Sequence, residues 1–75
     1  MNKERRQKIR EVIKDISIIS SRLDGIKDDE DDARVDVPEN LQSSEQYETS
    51  ERCSDIMGDA ISDLNQICEN LEEIT

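Results

Sequence analysis

Carboxylates are the side chains here whose type and spacing suggest chemistry. Glu48, Glu51, Asp55, Asp59 and Asp63 follow one another at gaps of three, four, four and four. On a helix that spacing stacks them about 5–6 Å apart up one side. Two readings fit such a row. It is the solvated outer face that a coiled coil needs, or it imitates a phosphate backbone and enters the basic groove of a protein that handles DNA or RNA. Like charges at i, i+4 destabilise a helix slightly. Only Arg52 interrupts residues 45–75, a stretch of net charge −8. Coiled coils usually mix signs on that face, so the bias favours a basic partner.

A second acidic group, Asp28, Asp29, Glu30, Asp31 and Asp32, continues through Asp36 to Glu39. Asp28, Glu30, Asp32, Asp36 and Glu39 match ligand positions 1, 3, 5, 9 and 12 of an EF-hand loop, with Val35 at the apolar position 8. Against calcium, Ala33 stands where the loop turns on glycine, Glu30 replaces the usual Asp or Asn, and Pro38 precedes the bidentate position. A calcium-responsive hairpin is therefore an alternative only, and neither a metal site nor a cofactor is expected. The candidate partner-binding surface combines Asp28, Asp29, Asp31 and Asp32 with the row from Glu48 to Asp63.

Catalysis finds little support. The chain has no His, Trp or Phe and a single Tyr, Tyr47. This removes the commonest general base, imidazole metal ligands and base-stacking platforms. Cys53 and Cys68 have no histidine to activate them. Fifteen residues apart on one helix, they are separated by roughly 22 Å and cannot pair within the chain. They read as core filler in a reducing compartment, with a disulfide between two copies the lesser alternative. No catalytic residue is assigned. Without a leader or a long apolar run, the cytoplasm is the expected location, with no membrane partner.

The elements that position these groups come from the apolar residues, 32% of the chain against 40% charged. Ile9, Val12, Ile16, Ile19, Leu23 and Ile26 alternate gaps of three and four, and after a skipped place at Glu30 the pattern resumes at Ala33 and Val37. That is a heptad seam, which predicts a helix from about Lys3 to about Val35, ended by Pro38. Cys53, Met57, Ala60, Leu64, Ile67, Leu71 and Ile74 repeat the pattern. A capping box of Ser43 with Gln46, or Ser44 as the cap, starts this second helix near residue 44 and it runs to about 74. Residues 36–43 form the turn, with Leu41 tucked onto the end of the core. The fold class is all-α, a single antiparallel αα-hairpin.

A narrow seam on each of two helices makes a thin core. Ile13, Ile56, Ile61 and Cys68 flank the seams and widen the apolar faces, so a homodimer forming a four-helix bundle is expected. Ile18 lies off both stripes. Charge is uneven too: residues 1–14 carry +4 and the remainder −14. Cations at a helix start oppose the macrodipole. An antiparallel hairpin explains them by setting residues 1–14 beside Glu69, Glu72 and Glu73; a patch for an acidic partner is the alternative. An acidic chain does not bind nucleic acid directly by its bulk charge.

The opening Met1-Asn2-Lys3-Glu4-Arg5-Arg6 with Lys8-Ile9-Arg10, the central Asp36-Val37-Pro38-Glu39-Asn40-Leu41-Gln42-Ser43-Ser44-Glu45, and the tail segments Ala60–Leu64 and Leu71–Ile74 resemble small acidic helical-hairpin proteins. These are encoded by phages and prophages of Gram-positive bacteria. Cys53, Met57, Gly58 and Cys68 depart from the usual Glu/Ala-rich second helix. The resemblance implies a phage-side accessory protein of the anti-CRISPR or anti-restriction kind. Its partner would be a host protein with a basic surface, such as a nuclease or a CRISPR effector. A structural or adaptor coiled-coil module is the other expectation.

Overall fold

The computed structural model describes every residue from Met1 to Thr75. Helix α1 (Lys3–Val35) and helix α2 (Glu45–Glu72) lie antiparallel, joined through a single 3₁₀ turn at Glu39–Leu41. The hairpin is a rod with Cα extents of 60 × 15 × 12 Å. Its radius of gyration, 17.4 Å, far exceeds the ~11 Å of a compact chain of this length. No helix is long and apolar enough to cross a membrane.

Each end of each helix has a local cause. The Arg5 N–H donates to the Asn2 side-chain oxygen at 2.8 Å, which caps α1. After Val35 the Val37 N–H closes onto the Arg34 carbonyl at 3.1 Å, and Pro38 bars a further turn. The cap of α2 is Ser44, whose hydroxyl oxygen accepts from the Tyr47 N–H at 3.2 Å. Ser43 is not the cap, because the turn holds the Ser44 N–H on the Leu41 carbonyl and leaves Ser44 extended at the entry to the helix. Leu41 is also displaced from its expected place. It is 50% exposed, since Val37 and Tyr47 already fill the end of the seam.

The two helices pack one position away from the expected seams. Ile9, Ile16, Leu23, Met57, Leu64 and Leu71 do face the partner helix, and all are half-buried. Beside them stand Ile13, Ser20, Lys27 and Arg34 on α1, and Ser54, Ile61 and Cys68 on α2. Val12, Ile19, Ile26 and Ile67, expected in the seam, remain 44–57% exposed, and Cys53 is exposed as well. The reason is geometric. Three adjacent stripes of α2 carry apolar residues, α1 has two apolar stripes beside the mixed one of Ile13, Ser20, Lys27 and Arg34, and a single neighbour covers only two stripes of each helix. Burial is correspondingly shallow: Ser54, Ser20 and Cys68, at 3%, 7% and 8% exposure, are the only buried residues.

Candidate functional site

The shifted packing gives the rod two unlike long faces. The open stripes, Val12–Ile19–Ile26 on α1 and Ile67–Ile74 on α2 with the half-buried Ala60 one heptad before them, each lie one residue before a stripe that enters the seam. Seen down its own axis, each is displaced from the seam in the same rotational sense. The helices point in opposite directions, so both displacements fall on one side of the hairpin. That side is apolar. The other side is a polar groove lined by Ser17, Ser20, Asp24, Ile61 and Asn65, in which the Ser20 hydroxyl donates to the Asn65 carbonyl oxygen at 3.3 Å.

One layer short of Val37 and Tyr47, the seam holds charge beside hydrocarbon. Arg34 donates from one guanidinium nitrogen to the hydroxyls of Ser50 and Ser54, both at 2.8 Å, and from the other to Asp31 at 2.6 Å. Lys27 donates to the second oxygen of Asp31 at 2.8 Å. The hydrogen bond from Lys27, then those from Ser54 and Arg34, hold the Asp31 carboxyl well below the ordinary carboxylate range. The same bond from the other side, with the charge of Asp31, raises the Lys27 ammonium above its usual value. Ser20, Lys27 and Arg34 recur at a strict seven-residue spacing. That polar heptad stripe is the sequence signal for this cluster.

The candidate acidic residues separate into two groups. Glu48, Glu51, Asp55, Asp59 and Asp63 are all exposed, as are Asp28, Asp29 and Asp32. Asp31 is half-buried and held by Lys27 and Arg34, so it is committed to the hairpin. The row on α2 does not climb straight. Each step of four residues overshoots a full turn, so Glu51 and Asp63 point about 120° apart. The carboxylates wind from the polar face round to the flank of the apolar one. Asp28, Glu30 and Asp32 lie within α1 and not in a loop. No group of three or more Cys, Asp or Glu side chains is gathered that could hold a metal ion.

Charge does not pair the two helices as expected. All three ion pairs lie within α1: Glu4 with Lys8, and Asp31 with Lys27 and with Arg34. Glu69, Glu72 and Glu73 are exposed and make no ion pair with the basic start of α1. Glu69 points outward, Glu72 repeats the groove-lining place of Asn65 one heptad on, and Glu73 shares an open hollow with Met1 and Arg6 without pairing. The one direct polar contact at that end is Arg10 donating to the Thr75 main-chain oxygen at 3.1 Å. The thiols differ as well. Cys68 is buried, with its sulfur 3.8 Å from the Ile13 carbonyl oxygen and 4.0 Å from the Ser17 hydroxyl, whereas Cys53 is exposed and free.

The site is thus a pair of surfaces, one apolar and one acidic. No protein-family model, curated protein or solved structure matches the chain.

Proposed function

We propose that this chain is a non-catalytic protein-binding hairpin whose acidic surface occupies a basic groove. In its most specific form it inhibits a nucleic-acid-handling host defence enzyme, as the resemblance to phage-encoded hairpins implies. One observation carries the reading: α2 makes no ion pair. Its carboxylates from Glu48 to Asp63 are exposed along a rigid helix, free to meet cations supplied from outside. The spiral of the row suits a groove that wraps the rod.

The test is competition. Tagged chain incubated with lysate of a Gram-positive host should retain a basic nucleic-acid-binding protein, and duplex DNA should displace it. A variant with Glu48, Glu51, Asp55, Asp59 and Asp63 changed to Lys should lose that protein while staying helical. Retention of the same protein by the reversed variant, equally at low and high salt, would refute the reading. The open apolar face favours a second reading, a structural or adaptor module that works through its own helix bundle. Recovery of nothing but the chain itself would support that one.

A further inference from the structure

We infer that the apolar face is covered by a second copy of this chain, with α1 lying antiparallel on α1 of the partner subunit across a two-fold axis near Ile19 and Ile67. The inference rests on the apolar face being a protein contact and shares only Asp63 with the acidic-groove reading.

Area comes first. The hairpin exposes 5810 Å², where a compact monomer of its mass exposes about 4,700 Å². The rod is 60 Å long and 15 Å wide, so hiding one long face removes on the order of 900 Å² per copy, about the ~800 Å² per partner of a standard interface.

Symmetry comes next. The contacts of Ser17 with Cys68 and of Ser20 with Asn65 put Ile19 and Ile67 at nearly one level of the hairpin. Val12 and Ile26 lie seven residues either side of Ile19, and Ala60 and Ile74 seven either side of Ile67. A two-fold axis through that level lays both open stripes on copies of themselves. An isologous interface requires that self-complementarity.

Charge then selects the direction. Residues 3–14 of α1 carry +4, residues 24–35 carry −4 and the segment between is neutral. Turned end for end about Ile19, the basic half of one copy lies on the acidic half of the other. The positions flanking the open stripe of α1 are Lys8, Asp15, Arg22 and Asp29. In the antiparallel pair Lys8 meets Asp29 of the partner subunit and Asp15 meets Arg22 of the partner subunit, so every flanking pair is opposite in sign. On α2 the corresponding residues, Asp63 and Asn70, meet without a like-charge contact. A two-fold axis parallel to the rod would instead place the acidic half of α1 against the acidic middle of α2.

Three measurements decide the matter. Sedimentation equilibrium at about 100 µM should return a dimer. In a Cys53→Ser background, the variant carrying Lys8→Cys and Asp29→Cys should form an interchain disulfide on mild oxidation. Lys8→Cys alone should not, because the two copies of that position lie about 30 Å apart. Separately, K8D/R22D and D15K/D29K should each weaken self-association on the order of tenfold to a hundredfold, and an equimolar mixture should pair as a heterodimer. The mixture guards against a folding artefact, since a misfolded variant would not be rescued by its complement. A monomer at every concentration overturns the inference. So does a dimer that fails to cross-link between positions 8 and 29 and shows no preference in the mixture.

Discussion

The Arg34 guanidinium crosses the hairpin to the hydroxyl of Ser54 at 2.8 Å, and Ser54 is the most buried residue of the chain. A charged side chain thus anchors the seam between Met57 and the half-buried Val37 and Tyr47 at the turn. Arg34→Ala leaves Ser50, Ser54 and Asp31 short of a donor and should cost about 1–3 kcal/mol. Removing both hydroxyls as well, in R34L/S50A/S54A, should recover part of that loss, because no serine is then left unmet and Asp31 keeps its bond from Lys27. Urea unfolding at one fixed protein concentration measures both.

The same cluster makes stability depend on pH with a defined sign. Asp31 is held below its ordinary value of 3.8, so its contribution is complete above that value and is lost as the pH falls through the acid range. Lys27 is held above 10.5; its contribution is complete below that pH and is lost on the alkaline side. Acid also relieves repulsion among the other carboxylates, which obscures the wild-type profile taken alone. The informative quantity is the stability difference between wild type and Asp31→Asn. That difference should be widest near neutrality and narrow progressively below pH 3.8.

The hairpin itself was legible from sequence because its signals are local: a three-four alternation, a proline stop, a serine cap. Lys3–Val35 follows from those alone. The choice of seam was not. The stripe headed by Val12 stays apolar through Ile19 and Ile26, whereas the one headed by Ile13 turns polar at Ser20, so hydropathy alone points to the stripe that the fold leaves open. What overrides it is tertiary: Arg34 must find Ser50 and Ser54, and Cys68 must fit against Ile13 and Ser17. Ser20, Lys27 and Arg34 read as solvent-facing until a partner helix supplies acceptors. The acidic row was visible as a row, but its drift around α2 follows from 3.6 residues per turn.

Glycine within the helices offers a direct gain. A methyl group added at Gly25 meets nothing within 4 Å, so Gly25→Ala should stabilise by about 1 kcal/mol through helix propensity. At Gly58 the same methyl lies 3.4 Å from the Lys27 Cε, on a side chain tied to Asp31. Gly58→Ala should therefore gain less. Thermal melts of the two variants at matched concentration will rank them.

The two thiols should differ in reactivity. Cys53 is exposed, whereas Cys68 is buried under Ile13 and Ser17. A maleimide should label Cys53 at the rate of an open thiol and reach Cys68 only when the hairpin parts. Mass spectrometry of a labelling time course should show one fast and one slow addition, and 6 M urea should merge them. Equal rates in native buffer would contradict the packing of α2.

Neighbouring isoleucines with nearly equal exposure give the sharpest contrast. Ile18 and Ile19 are each 51% exposed, yet one residue of helix turns them about 100° apart. Ile18 points away from α2, next to Lys14, Ser21 and Arg22, and Ile19 sits at the centre of the open apolar face. A surface substitution away from contacts changes stability by no more than about 0.5 kcal/mol, so Ile18→Asp should leave both the melting curve and the sedimentation profile unchanged. Ile19→Asp should leave the helix content intact and shift the profile to monomer, because two carboxylates would then face each other on the two-fold axis. If both variants dissociate alike, exposed hydrophobicity in general drives association. If only the second does, the face is specific.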